Sequence, residues 1–232
     1  MQLHWELFCS VIDNYGDIGI GWRVAHALVH AHGQSVRLWV DDLESFHRLL
    51  PAVDTGLDQQ QLEGVVVRHW RADTHMAADA DVVVELFACR VPSIYLEDMA
   101  RTRPVWINLE YFSAESWVAG CHALGSPHPR LPLTQYFFMP GLDAGTGGVL
   151  GDPAQLDGLD RSRSRLLPFI PEDPSGGKGT QRVTLFSYDN PAILGLVEAL
   201  FMGAQPSELL VPQGKPTEWV ARALGQRLET GV

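Results

Sequence analysis

Apolar residues in this chain fall into short runs separated by turn-forming residues, and the spacing within each run switches between contiguous and every third or fourth position. Residues 5–11, WELFCSV, make a contiguous, β-rich run. A turn containing Gly and Asp follows. From 18 to 32 the positions Ile20, Val24, Ala27, Leu28 and Ala31 recur three or four apart, which lays them on one helical face, and Gly33 closes the helix. Residues 36–40 read as a buried strand, and LESFHRLL reads as a helix that Asp41 or Asp42 can cap before Pro51 breaks it. The runs GVVVRHW, DVVVELF and PVWINLE are again contiguous, with PSIYLEDMA between the last two as a helix candidate. Uninterrupted apolar strands alternating with helices predict an α/β fold, a parallel sheet covered by helices.

The alternation stops between 110 and 150, where aromatics, Pro and Gly dominate, so a long irregular segment is expected there, the kind that is usually functional. Residues 161–167 read as a short helix. The stretch PFIPEDPSGGKGTQ has a linker's composition and divides the chain into 1–167, a linker at 168–181, and 182–232. Beyond it RVTLFSY and ELLVP read as strands, and PAILGLVEALFMG and TEWVARALGQRLE as helices, the start of a second α/β unit.

Composition narrows the function. The chain has 232 residues, and its 17 Lys plus Arg against 28 Asp plus Glu give a net charge of −11, which opposes phosphate backbones. No nucleic-acid partner is expected, while a basic protein partner is compatible. Cys9, Cys89 and Cys121 are an odd set without a C-x-x-C pair, which reads as reduced thiols, with no disulfide and no structural zinc. The N-terminus lacks a basic leader and no apolar run reaches about 18 residues, so a cytoplasmic protein without membrane attachment is expected.

The densest chemistry lies in DNYGDIGIGWR, where the first strand hands over to the first helix. Ligands of open parallel sheets bind beyond the carboxyl ends of strands. Asp13 and Asp17 bracket a Gly turn, so both can face one cavity, one binding while the other accepts a proton; equally, Asp17 can be the helix N-cap and Asp13 a turn residue. Gly16, Gly19 and Gly21 can admit a phosphate or sugar to backbone N–H groups, although their spacing is not the dinucleotide fingerprint. His26, His30 and His32 cluster on or just after one helix without a second ligand motif, and Cys121, His122 and His128 lack a zinc spacing. Asn108, Leu109, Glu110, Tyr111 and Phe112 follow a strand, where a carboxylate and rings can hold a cation or else fill a core. Phe186 and Tyr188 end the strand after the linker, placed either to stack on a base or to pack inside.

The segments DNYGDIGIGWRVA, VRLWVDDLESF, INLEYFSAESWV, SPHPRLPLTQYFFMPG and VTLFSYDNPAI together resemble the protein-arginine rhamnosyltransferases that modify elongation factor P in bacteria. The resemblance implies a GT-B glycosyltransferase with two Rossmann-like domains. It implies transfer of L-rhamnose from dTDP-β-L-rhamnose to an arginine of elongation factor P, with inversion and no metal or other cofactor. Carried over residue by residue, it implies Asp17 as general base, with Asp13 holding the guanidinium. Asn14, Tyr15, Glu110 and Tyr111 would then lie on the acceptor side, and Gly19, Phe186 and Tyr188 on the donor side. Members of this family carry a full C-terminal, nucleotide-sugar-binding domain, so 182–232 is expected to be only its start and the chain alone to transfer little rhamnose. A non-catalytic module that binds elongation factor P, or a generic nucleotide-binding α/β enzyme, are the competing expectations.

Overall fold

Read in chain order, the computed structural model, which describes residues 1–12, 15–71, 74–149, 180–188, 190–211 and 215–230, resolves the runs into strands and helices as follows. The first part runs β1 (His4–Cys9), α1 (Gly16–His30), β2 (Ser35–Val40), α2 (Leu43–Leu49), β3 (Gln59–Leu62), β4 (Val65–His69), β5 (Val82–Leu86), α3 (Ser93–Thr102), β6 (Val105–Leu109), α4 (Val118–Cys121), β7 (Gly125–Pro127) and β8 (Thr134–Phe138). The second runs β9 (Gln181–Thr184), α5 (Ile193–Met202), β10 (Ser207–Leu210) and α6 (Lys215–Thr230). The chain divides into two units, Met1–Leu156 and Asp157–Val232. The helix expected at 161–167 and the expected linker up to residue 179 lie outside the described residues. Among the described residues no helix is long and apolar enough to cross a membrane.

In the first unit eight strands form one sheet in the order β3-β4-β2-β1-β5-β6-β8-β7. The six inner strands pair in parallel, and β3 and β7 are antiparallel edges. Counting only the parallel strands, the order is 3-2-1-4-5-6, the Rossmann order, whose direction of winding reverses between β1 and β5. The contiguous runs are explained by burial on both faces. Leu7, Cys9, Leu38, Val40, Val82 and Val84 point to the layer shared with Ile18 and Ala25 of α1 and Phe46 of α2. Their neighbours Phe8, Trp39 and Val83 point the other way, onto Tyr95 and Met99 of α3 and onto Trp106. Two layers of apolar side chains thus clamp the central strands.

Close packing of α1 on the sheet depends on Gly21, since a Cβ there would meet Leu86 Cδ1 at 2.7 Å. Asp42, rather than Asp41, caps α2, accepting from Ser45 N at 3.0 Å. Within the second layer Glu6 is fully buried, accepting from Tyr95 Oη at 2.5 Å, from Trp39 Nε1 at 3.1 Å and from Arg37. One carboxylate therefore satisfies three donors, two from β2 and one from α3.

The segment between 110 and 150 departs from expectation. It contributes α4, β7 and β8, and β8 extends the parallel sheet beside β6 in the register Trp106 to Gln135 through Leu109 to Phe138. Every position of β8 is partly or well exposed. Lying next to the edge, it needs no continuous apolar run and carries none. The polar edge strand β3, QQQL, escapes the pattern for the same reason.

In the second unit β9 and β10 pair in parallel. Leu185, Ile193, Val197 and Ala223 form its buried cluster, with Leu209, Trp219 and Val220 packed partly against it.

Candidate functional site

The carboxyl ends of β1, β5 and β6 meet at the reversal point of the sheet, and three segments converge there. Helix α1 starts at Gly16, with Tyr15 as an N-cap that makes no side-chain cap bond. Asp17 therefore lies inside the first turn, and the N-cap reading of this residue does not hold. Its carboxylate turns inward and is 1% exposed. Oδ2 accepts from Ile12 N at 2.9 Å and Oδ1 accepts from the Tyr111 hydroxyl at 2.6 Å. Ile12 N and the Tyr111 hydroxyl are both donors, and the first turn adds the positive end of the helix dipole.

Tyr111 is positioned from beneath. Its ring stacks on Phe87 with centroids 3.9 Å apart and planes 8° from parallel. Phe87, Ala88 and Arg90 all have left-handed backbone, with φ of 56°, 52° and 61°. None is glycine, and such conformations persist only where neighbours hold them. Here Phe87 N donates to Leu109 O at 2.8 Å, Ala88 N to Asn108 Oδ1 at 3.0 Å, and Arg90 N to Glu85 Oε1 at 2.6 Å. Asn108, itself buried, also donates to Glu110 Oε1 at 2.6 Å, and Gln135 donates to Glu85 Oε2 at 2.6 Å. Burial pushes the Glu85 carboxyl above its usual range, against the opposing pull of its donors.

The loop before α1 is pinned at its near end. Asp41 accepts from Val11 N at 2.8 Å and from Ser10 Oγ at 2.5 Å, and Trp70 Nε1 donates to Cys9 O at 3.1 Å. Asp13 and Asn14 follow directly and lie outside the described residues. Tyr15, half-buried, gives its carbonyl to Gly19 N at 2.8 Å.

The remaining candidates are placed as follows. Gly19 lies within α1, its N–H already bonded, and a Cβ there would make only an ordinary contact with Leu49 at 3.6 Å. Asn108 and Leu109 form the buried end of β6, Glu110 is half-buried beside Asn108, and Tyr111 and Phe112 are about half exposed, so the rings of this segment do not fill the core. Phe186 and Tyr188 follow β9 in the second unit at 91% and 67% exposure, which removes the core-packing reading for both. His122 Nδ1 accepts from Met139 N at 3.1 Å and His128 Nδ1 from Leu131 N at 3.0 Å, so these rings brace their own loop. Cys9 and Cys89 are poor nucleophiles. Burial raises both thiols, Cys89 to about 12. Sequence reasoning missed the Phe87 platform, because a left-handed segment without Gly or Asn carries no turn signature.

A parallel sheet in Rossmann order, with a buried carboxylate at the reversal point where ligands of such sheets bind, defines an α/β protein with a candidate ligand site at the β1/β5 crevice. The chain belongs to the Elongation-Factor P (EF-P) rhamnosyltransferase family, whose pattern it matches over residues 5–232. It is similar to the protein-arginine rhamnosyltransferase of Pseudomonas putida, with 45% identity over 97% of this chain and 61% of that protein. The protein of the same name from Pseudomonas aeruginosa is 43% identical over 91% of this chain and 57% of its own length. That of Shewanella oneidensis is 35% identical over 91% and 58%. The chain thus spans about three fifths of the length of the curated relatives it matches.

Proposed function

We propose that this chain supplies the acceptor-side part of an inverting, GT-B-type glycosyltransferase that moves L-rhamnose from dTDP-β-L-rhamnose to an arginine side chain of elongation factor P. The observation that carries this reading is the buried Asp17 carboxylate, held by Ile12 N and the Tyr111 hydroxyl at the reversal point of the sheet. A guanidinium is a poor nucleophile until a carboxylate orients it and takes a proton. Its N–H groups are donors of the same kind as the hydroxyl that now meets Asp17 Oδ1. An acceptor arginine that replaces or joins that hydroxyl presents its nitrogen to the sugar. The nitrogen forms a bond to the anomeric carbon from the face opposite the diphosphate, the bond to dTDP breaks with its electron pair, and the proton passes to Asp17.

In this scheme Asp13 holds the guanidinium's other nitrogens, while Asn14, Tyr15, Glu110 and Tyr111 shape the acceptor side. Gly19 lets the sugar lie close to α1, Phe186 and Tyr188 stack around the nucleotide, and no metal takes part in the step. The net charge of −11 favours encounter with a basic loop. The three free cysteines fit the reducing cytoplasm.

The test is intact-mass spectrometry of elongation factor P after incubation with dTDP-β-L-rhamnose and a version of the chain extended to the length of its relatives. The expected result is one added deoxyhexose, and a rate lowered about 10²–10⁴-fold by Asp17→Asn in a protein with unchanged circular dichroism. Transfer at the normal rate by Asp17→Asn would remove Asp17 from the chemistry.

A further inference from the structure

The far end of α1 carries a second cluster, independent of the site at its start. His26 and His30 are one turn apart on the same helical face, with ring centroids 4.1 Å apart. The β3–β4 turn brings Glu63 against them. This turn is tight: Glu63 and Gly64 have φ of 45° and 81°, and a Cβ on Gly64 would meet Val29 Cγ1 of α1 at 2.9 Å. Glycine at 64 is therefore what allows the turn to sit on the helix. Glu63 Oε2 lies 3.1 Å from His26 Nε2, and the Glu63 backbone carbonyl accepts from His30 Nε2 at 2.8 Å. One ligand atom from each of the three residues falls within 4.8 Å of the others.

We propose that His26, His30 and Glu63 bind a divalent transition-metal ion of the zinc, cobalt or nickel class, which clasps the last turns of α1 to the β3–β4 turn. Two imidazoles and one carboxylate are the donor set such ions take, with water filling the open position. Bonds of about 2.1 Å in a tetrahedral site need ligand atoms about 3.4 Å apart. The His26–Glu63 pair is already at 3.1 Å. The Glu63 side chain, 57% exposed, is free to rotate the rest of the way. The ion takes the place of the direct contact between His26 Nε2 and Glu63 Oε2.

Two further features favour a cation here. The last turn of a helix is its negative end, and the chain as a whole carries −11. A second trio, His4, Glu6 and Asp79, also lies within reach of itself, but Arg37 already occupies it, contacting Glu6 and Asp79. His4 therefore serves as the control.

The probe is Co²⁺, titrated into the 232-residue chain and followed by its visible absorption, with Zn²⁺ as competitor. The expected result is saturation at one equivalent, displacement by Zn²⁺, and affinity lowered about tenfold or more by His30→Ala and by Glu63→Gln. His4→Ala leaves the titration unchanged. Zn²⁺ also raises the melting midpoint of the wild-type chain and not that of His30→Ala. Both variants alter exposed side chains, and circular dichroism checks that each is folded. Absence of saturable binding, full binding by both variants, or equal loss in His4→Ala would overturn the proposal.

Discussion

The two units hold their apolar residues in different ways. The first encloses its central strands between two layers, one against α1 and α2, the other against α3. The second, among its described residues, closes over four buried side chains, and a groove of about 610 Å³ lined by Val197, Phe201, Leu209, Val220 and Leu224 stays open. The contrast separates the surroundings of two sets of candidate site residues. Asp17 is held from the segments that follow two clamped strands, by Ile12 N after β1 and by the Tyr111 hydroxyl after β6. Phe186 and Tyr188, in the second unit, have exposed rings.

The largest test of that contrast is Phe8→Ala. Phe8 packs against Trp39, Tyr95 and Trp70 with centroids at 5.8, 4.8 and 6.2 Å, and truncation is expected to cost about 3–5 kcal/mol. Ile193→Val in the second unit is expected to cost about 0.5–1.5 kcal/mol and to leave the first unit's transition in place. Urea unfolding with amide-exchange readout separates the two. A first-unit transition that moved with Ile193→Val would make the chain one cooperative body and end the comparison.

Next in size is Tyr111→Phe, which removes one donor from Asp17 and leaves the stack on Phe87. A hydrogen bond to a charged group is worth about 1.5 kcal/mol or more, so transfer in the extended chain should slow about tenfold. An unchanged rate would mean that Ile12 N and the helix suffice to orient Asp17.

The smallest concerns Glu85. Burial, outweighing the donors at Arg90 and Gln135, holds its carboxyl above the usual range, so the folded chain keeps this proton more tightly than the unfolded one. The resulting stabilisation is complete below the unfolded-state value of about 4.3 and is lost as pH rises through the folded-state value. Glu85→Gln keeps an acceptor for Arg90 N and lacks the titration. Relative to it, the native chain should lose stability as pH rises above about 4, read from urea midpoints at several pH values. A constant difference across that range would show that Glu85 titrates normally.

How far the sequence disclosed these features depends on where each residue's partners lie. β1, β2, β4, β5 and β6 were legible because burial on both faces demands unbroken apolar runs, and α1 because one buried face demands spacings of three and four. β3 and β8 were not, since half-exposed strands at or beside an edge can be QQQL or TQYFF. At the site, Asp17 and Tyr111 could each be singled out, yet their bond could not, because nothing local relates residues so far apart. The Phe87 platform was hidden because its backbone is held by Asn108 and Glu85 rather than by its own residue types. At the other end of α1 the histidine pair was visible, and Glu63 was not.

The bond between Tyr111 and Asp17 spans 94 residues of chain. A ribosome adding about 5–20 residues per second makes the carboxylate roughly 5 to 20 s before its partner. At the start of that interval β1, the central strand, has been made, and β5 and β6 on one of its sides are added only towards its end. The order of synthesis thus runs from the middle of the sheet outward, and the segment bearing Asp17 is among the first parts translated, while one of its partners is made only after β6. A nascent chain cut short before β6 would carry Asp17 without the hydroxyl that aims it.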